Sequence, residues 1–133
     1  MKKLIITEKP SVAIQFKNAL KISCNEKQDG FIEDDNWVIT WCIGHLVALV
    51  YPENYNEKYK KWSLEDLPFL PDEYQYGVIS SVKNQYKTVY NLLHRTDIDV
   101  VYWAGDSGRE GQVIEENIRR FGGVRQGIKE LRV

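Results

Sequence analysis

The sequence has few cysteines and histidines and no long apolar run, and each absence narrows the class of protein. Only two cysteines, Cys24 and Cys42, occur in 133 residues, and they show neither a C-x-x-C spacing nor paired histidines, so a zinc site is not expected. No apolar stretch approaches the roughly 18 residues of a membrane span. The apolar part of the N-terminus ends after Ile6, which is too short for a secretion signal. We therefore expect a cytoplasmic protein with two reduced, packed cysteines.

An excess of positive charge is also lacking. The formal net charge is −1 at pH 7, whereas a stand-alone DNA-binding module is usually basic. The last fifteen positions nevertheless contain a basic cluster of Arg119, Arg120, Arg125, Lys129 and Arg132. Any affinity for phosphate is therefore expected to be local rather than a property of the whole surface.

Alternating strand and helix signals predict an α/β fold. The predicted elements, in chain order, are a strand at residues 3–7, a helix at about 10–20, a turn and short strand within 28–36 centred on Phe31 and Ile32, a strand at 37–43, a helix at about 81–95, a strand at 100–103, a helix at about 110–121 and a strand from 128. Such alternation is typical of a mainly parallel central sheet flanked by helices. We expect residues 1–133 to form a single domain.

The helix ends and the longest connection have signals of their own. Pro10 suits the first turn of the first helix because it fixes φ and needs no donor there. One of the serines at 80–81 could cap the second helix, and the glycines at 122–123 should stop the third. Residues 51–75 hold three of the four prolines and much charge, which predicts an irregular excursion with room for one short helix.

Charged residues gather at two of the predicted strand-to-helix turns. Glu8 and Lys9 follow the first strand, while Asp106, Arg109 and Glu110 follow a later one. Ligands of open α/β sheets bind at the carboxyl edge of the strands. Because right-handed crossovers would place these two strands side by side, we expect Glu8 and Asp106 to face each other across one crevice.

The residue types in these turns suit a divalent metal and a phosphate. Mg²⁺ prefers oxygen ligands and keeps several waters, so Glu8, Asp106 and Glu110 would be sufficient. Lys9 and Arg109 could bind phosphate oxygens, and the free N–H groups of helix N-termini would strengthen that attraction. Each residue alone has an ordinary explanation as a helix-dipole partner, a turn residue or a solvated charge. Their joint placement at two turns favours the functional interpretation.

Histidine and the aromatic residues leave alternatives open. His45 lies at the end of a predicted strand, where it is either a turn residue or a catalytic group. Aromatic side chains could stack on nucleic-acid bases. Core positions are the better interpretation for Trp37, Trp41, Trp103 and Tyr86.

Four stretches in a fixed order carry a resemblance to a known family. They are IITEKPS at residues 5–11, TWCIGHL at 40–46, YKKWSLEDLP at 59–68 and AGDSGREGQ at 104–112. Together they resemble the signature motifs of the type IA DNA topoisomerases, particularly the topoisomerase III branch. The resemblance runs from about residue 3 to residue 133, and four motifs in the right order make it highly specific.

The resemblance implies a Toprim fold, in which a parallel sheet flanked by helices carries an acidic, metal-binding crevice. It implies that Glu8 lies near the scissile phosphate in an acid–base or metal role and that Lys9 steadies that phosphate. Asp106 would hold Mg²⁺, Glu110 would close the metal motif, and Arg109 would help to manage charge. Enzymes of this family cleave one DNA strand through a tyrosine, pass a strand and reseal the break without ATP.

Two departures from the family pattern qualify what is implied. The usual Asp-x-Asp is here Asp106-Ser107-Gly108, so one metal carboxylate is absent and Mg²⁺ is expected to bind more weakly or with different ligands. The family's nucleophilic tyrosine lies in an Arg-Tyr-Pro-Arg-Thr-like motif, of which Tyr51-Pro52 is only a superficial echo. The strand-passage domains are absent from these residues too.

The expected protein is therefore the N-terminal Toprim domain of a longer topoisomerase III-like enzyme, inactive alone. Its expected partners are single-stranded DNA and the remaining domains of the parent enzyme. The alternative is a non-catalytic nucleic-acid- or phosphate-binding module with the same fold. Another Toprim enzyme, such as a primase or a nuclease, is a third interpretation, against which the motifs at 40–46 and 59–68 speak.

Overall fold

The computed structural model describes residues 1–24 and 29–133, in which strands and helices alternate. The strands are β1 (Lys2–Thr7), β2 (Phe31–Glu33), β3 (Trp37–Trp41), β4 (Val47–Leu49), β5 (Tyr76–Val78), β6 (Ile98–Ala104) and β7 (Lys129–Arg132). The α-helices are α1 (Pro10–Ala19), α2 (Lys83–Leu93) and α3 (Arg109–Gly122). Short 3₁₀ helices occupy Pro52–Asn54, Glu57–Lys60, Leu64–Asp66 and Ser80–Val82.

Five strands form a mainly parallel sheet with the first strand at its centre. The order is β2-β3-β1-β6-β7, where β1 pairs in parallel with β3 and β6, and β6 pairs in parallel with β7. Only the short edge strand β2 runs antiparallel to its neighbour. The prediction that the first strand lies beside the strand at 100–103 is therefore confirmed.

Both faces of the sheet are covered, which explains the continuous apolar runs in its strands. Leu4 and Ile6 of β1 belong to the core cluster that includes residues of α2 and α3, whereas Ile5 joins the cluster around Ala13 of α1. The predicted α/β fold with helices flanking the sheet is confirmed. Among the described residues, no helix combines the length and apolar character that a membrane crossing requires.

The predicted aromatic core residues pack as expected. Trp103 is buried, and Tyr86 packs against the same cluster from α2. Trp37 and Trp41 pack against the cluster on the α1 face. All four rings therefore contribute to the core, Trp103 as a buried residue and the other three as half-buried ones.

Both cysteines are free thiols, as the sequence predicts. Cys42 is buried in the core, and this burial raises the pKa of its thiol to about 12. Cys24 is half-buried and packs against the cluster on the α1 face. The burial and the raised pKa make Cys42 an unreactive thiol.

Several local predictions are wrong in detail. The excursion at 51–75 contains three short 3₁₀ helices within 52–66 rather than one short helix. Strand β4 was not predicted, and it pairs with β5 in a separate antiparallel ribbon. Neither serine at 80–81 caps α2, because the 3₁₀ turn at Ser80–Val82 intervenes and moves the helix start to Lys83. Gln28, predicted to begin a turn, lies outside the described residues.

The glycine stop after α3 is confirmed. Gly123 occupies the C-cap with φ +73°, a conformation that favours glycine, and its N–H donates to the carbonyl of Arg119. The chain then turns back into β7 at the edge of the sheet. This return brings Arg132 close to the turn that follows β6.

At the amino edge of the sheet, four charged side chains form one hydrogen-bonded cluster, the amino-edge cluster, made of Lys2, Glu33, Arg95 and Asp97. Arg95 donates to both carboxylates at 2.6–3.1 Å, and Lys2 Nζ lies 2.5 Å from Glu33 Oε1. The hydrogen bonds from Arg95 are the main reason that the pKa values of Glu33 and Asp97 are lowered. The cluster thus ties together the chain segments at which β1, β2 and β6 begin or end.

Candidate functional site

The acidic turns meet because β1 and β6 end at the same level. Thr7 is paired with Ala104 across the two parallel strands, so the chain leaves the sheet at the same edge in both places. Glu8 comes directly after β1, and Gly105 and Asp106 come directly after β6. The carboxyl edge of adjacent parallel strands is where ligands of such sheets bind.

Direct contacts join the two turns. The backbone N–H of Asp106 donates to Glu8 Oε2 at 3.1 Å, and Lys9 Nζ lies 3.7 Å from Asp106 Oδ2. The side chains of Lys9 and Asp106 are 51% and 58% exposed, so water screens their attraction and leaves both available to a ligand. Glu8 and Asp106 therefore lie side by side at this edge of the sheet, as the crossover rule predicts.

A third turn reaches the same edge from β3. Thr7 is paired with Trp41, and the chain after β3 turns at Gly44, whose φ is +68°. The next residue, His45, places Nε2 3.6 Å from Glu110 Oε1. His45 therefore lies beside the acidic turn, and Glu110 faces this imidazole.

The two helices that leave the turns present uncapped N-termini. Lys9 is the N-cap of α1 and Gly108 is the N-cap of α3, and neither provides a side-chain hydrogen bond to its helix. Uncapped N–H groups and the positive end of the helix dipole both attract anions. Arg109 begins α3 as an exposed side chain, and within residues 1–24 and 29–133 it has no ion-pair partner.

Close packing of α3 against the acidic turn depends on a glycine. A Cβ atom on Gly111 would collide with the carbonyl oxygen of Asp106 and would lie 2.9 Å from the backbone nitrogen of Asp106. A Cβ atom on Gly108 would meet nothing within 4 Å. The space that the missing second carboxylate would occupy is thus open.

Glu115 supports the turn from beneath and was missed in the sequence. Glu115 belongs to α3, and its side chain is buried. Its Oε1 accepts a hydrogen bond from the backbone N–H of Gly105 at 2.5 Å and lies 3.1 Å from Arg132 Nη1. Burial is the main reason that its pKa is raised. The signal was available, because position 115 shares a helix face with Gly111 and Ile118 at spacings of four and three, where a charge is unexpected.

A metal would find two carboxylates here rather than three. Within the described ranges, no three His, Cys, Asp or Glu side chains are grouped so as to hold a metal ion. Glu8 and Asp106 are brought together, while Glu110 is turned toward His45. Since Mg²⁺ keeps several waters and needs only one or two protein carboxylates, the pair Glu8 and Asp106 fits a largely hydrated ion.

Comparison with known proteins identifies the fold family. The family model described as Toprim domain matches residues 3–133. The chain belongs to the Toprim domain family. The acidic crevice between the two turns of this Toprim domain is accordingly its candidate functional site.

Curated relatives of this Toprim domain carry one name. The chain is 41% identical over 130 residues to DNA topoisomerase 3 of Bacillus thuringiensis strain Al Hakam, which covers 98% of this chain. It is 39% identical to DNA topoisomerase 3 of Shouchella clausii over 130 residues and 40% identical to that of Staphylococcus epidermidis over 131 residues, with the same coverage. The chain spans 18% of the length of each of these relatives.

Proposed function

We propose that this chain is the Mg²⁺-binding Toprim domain of a topoisomerase III-like enzyme that breaks and rejoins single-stranded DNA. The attacking tyrosine lies outside residues 1–133, and the reaction needs no ATP. The hydrogen bond between the Asp106 N–H and Glu8 carries the proposal, because it joins the two acidic turns at one sheet edge. The similarity to proteins named DNA topoisomerase 3 supports this choice among the functions of Toprim domains.

In this proposal residues 1–133 form a single Toprim domain that works with the remaining domains of the parent enzyme. Single-stranded DNA is its substrate, and the cytoplasm is its location. The exposed cations at the carboxyl edge, rather than the net charge of the whole chain, provide the affinity for phosphate.

The proposed catalytic residues are Glu8, Lys9 and Arg109. Lys9 and Arg109 bind the oxygens of the scissile phosphate, together with the free N–H groups at the start of α3. Glu8 is half-buried and adjoins the place where that phosphate would bind, so its carboxylate can accept or return a proton there. Charge is thereby balanced while the phosphodiester is cleaved and resealed.

The proposed metal ligands are Glu8, Asp106 and Glu110. When bound, Mg²⁺ would neutralise negative charge on the phosphate. Glu8 and Asp106 are already neighbours, whereas Glu110, whose side chain is 77% exposed, must turn away from His45 to join them. Gly108 leaves the position of a second motif carboxylate empty of side-chain atoms, so a weak, water-rich site is expected.

Binding of Mg²⁺ is tested by its effect on thermal stability. A ligand that binds the folded state stabilises it by mass action, by about 2.7 kcal/mol at a hundred times its Kd. We expect MgCl₂ to raise the Tm of the wild-type chain and to leave the Tm of Asp106→Asn nearly unchanged. CaCl₂ and NaCl at matched ionic strength serve as controls, and Asp72→Asn, at an exposed position of the excursion, is the matched variant. Equal Mg²⁺ effects on Asp106→Asn and Asp72→Asn would show that the metal assignment is wrong.

The second candidate is a non-catalytic nucleic-acid- or phosphate-binding Toprim module. The absence of a three-carboxylate group within residues 1–24 and 29–133 favours it. Fluorescence anisotropy with a labelled single-stranded oligonucleotide separates the two proposals. Binding that is indifferent to Mg²⁺, EDTA and Asp106→Asn, but is lost in a Lys9→Gln, Arg109→Gln double variant, would favour this candidate.

A further inference from the structure

A guanidinium and a buried carboxylate hold the backbone of the acidic turn from one side. Arg132 places Nη2 2.8 Å from the carbonyl oxygen of Asp106 and Nη1 3.0 Å from that of Gly105. The same Nη1 is 3.1 Å from the carbonyl oxygen of Trp103. Glu115 accepts the N–H of Gly105. The peptide groups on both sides of Asp106 are therefore tied to a single ion pair between α3 and β7.

Glu8 completes this arrangement from the other side. The N–H of Asp106 donates to Glu8 Oε2, so the donors and acceptors of Gly105 and Asp106 all have partners. Because peptide groups held at each donor and acceptor cannot rotate freely, the direction of the Cα–Cβ bond of Asp106 is fixed. The carboxylate of Asp106 then starts from a fixed Cβ position, and only rotation of its own side chain changes its distance from Glu8 and Lys9.

The Glu115–Arg132 pair carries a cost to fold stability. Glu115 Oε2 is buried, and in the part of the chain that the structure describes it has no hydrogen-bond partner. A buried polar atom without a partner is costly, and replacement of a buried ion pair by apolar side chains is often neutral or stabilising. A residue that breaks a local rule in this way commonly serves a site.

We propose that Glu115 and Arg132 are positioning residues that fix the Gly105–Asp106 backbone and thereby orient Asp106 for the ligand of the crevice. The expected effect on Mg²⁺ affinity rests on the proposed function, whereas the expected effect on the Gly105–Asp106 backbone does not. Glu115 is buried and Arg132 donates to backbone carbonyls, so both side chains act on Asp106 through its backbone. Loss of the pair therefore alters the geometry of the site while leaving its charged groups in place.

The decisive variant is Arg132→Lys, which keeps the positive charge but loses the planar fork that reaches several carbonyls. Its matched control is Arg120→Lys on α3, where the guanidinium pairs with Glu116 at the surface. Groups that orient metal-binding residues typically contribute about 10–100-fold to metal affinity. We expect the Kd for Mg²⁺, measured by calorimetric titration, to rise about tenfold in Arg132→Lys and to stay unchanged in Arg120→Lys.

Arg132→Gln separates positioning from simple electrostatics. Removal of a cation near two carboxylates would by itself strengthen Mg²⁺ binding, whereas loss of positioning weakens it. We expect weaker binding at 25 °C, where melting curves must show that the variant is folded. Unchanged binding in Arg132→Lys together with tighter binding in Arg132→Gln would overturn the proposal.

Amide NMR spectra of the metal-free chain test the inference independently of the proposed function. We expect the Gly105 and Asp106 amide resonances to shift strongly in Arg132→Lys and hardly at all in Arg120→Lys. We also expect Glu115→Ala to abolish the exchange protection of the Gly105 amide. If these amides do not respond, the positioning role is wrong even where Mg²⁺ binds. If they respond but the wild type binds no Mg²⁺, the metal part of the proposed function fails and the positioning role stands.

Discussion

The two edges of the central sheet carry the same kinds of charged residue and use them in opposite ways. In the amino-edge cluster, Arg95 and Glu33 are largely buried and bound to each other. At the carboxyl edge, Lys9 and Asp106 are 3.7 Å apart and more than half exposed. Strand β1 joins the two edges. The charges of the amino-edge cluster neutralise one another, whereas those at the carboxyl edge stay exposed, as the proposed binding of a ligand requires.

The largest expected effect comes from the backbone contact at the carboxyl edge. Gly111→Ala should destabilise the chain by about 3 kcal/mol, because the new Cβ atom meets the backbone of Asp106 and overpacking of this kind costs about 1–3 kcal/mol. Urea denaturation measures the change. Gly108→Ala is the matched control, expected to cost at most about 1 kcal/mol because alanine is the poorer N-cap, while nothing lies within 4 Å of its Cβ position. Similar losses in both variants would refute the close-approach explanation.

Removal of a charge should cost stability at the amino edge only. Arg95→Gln leaves Glu33, whose side chain is 14% exposed, with Lys2 as its remaining partner. We expect a loss of about 2 kcal/mol, below the roughly 3–5 kcal/mol for a fully buried pair because this cluster is partly hydrated. Arg109→Gln at the opposite edge should change the free energy of unfolding by less than about 0.5 kcal/mol. Equal effects in chemical denaturation would contradict the contrast between the edges.

A gain of stability is expected at the first turn. Lys9 holds the N-cap position of α1 without capping it, and serine at an N-cap is worth about 1 kcal/mol more than a residue that cannot cap. Lys9→Ser should therefore raise the free energy of unfolding by about 1 kcal/mol while it weakens binding of single-stranded DNA. Lys9→Ala should weaken binding without the gain. A stable Lys9→Ser variant that binds DNA normally would show that this lysine does not serve the site.

The smallest expected effect is on how the free energy of unfolding falls as the pH is lowered. Hydrogen bonds from Arg95 lower the pKa of Glu33 in the folded state below its ordinary value of 4.5. Glu33 therefore contributes stability that is present above about pH 4.5 and is lost as the pH falls through the lowered pKa. Glu33→Gln should reduce stability at pH 7 and converge toward wild type in acid. Melting curves between pH 2 and pH 7 follow the difference.

The sequence was sufficient to predict the sheet and to predict that the turns after β1 and β6 lie close together. Continuous apolar runs identified strands that are buried on both faces, and the right-handed crossover rule placed Glu8 beside Asp106. The ribbon of β4 and β5 was not predicted, because the irregular excursion separates its two short strands along the chain. Its pairing joins Val47 to Val78, a contact that no local pattern indicates.

Geometry at the candidate site could be predicted only in part. The sequence indicated which carboxylates approach one another along the sheet edge, but the direction of Glu110 toward His45 depends on a side-chain rotation that no spacing specifies. Glu115 was overlooked because the helix was judged by its apolar positions alone. A charged residue between Ile114 and Ile118 on the buried face was the signal that a closer search would have used.

The central position of β1 has a consequence for how the chain folds. Strand β1 pairs on one side with β3 and on the other with β6, which begins 96 positions after Lys2. Contacts of such long sequence separation slow folding, because the intervening chain must close before any stabilisation is gained. We therefore expect folding to begin in the later half, where α2, β6 and α3 are consecutive, and insertion of β1 to be a late step that assembles both edges together.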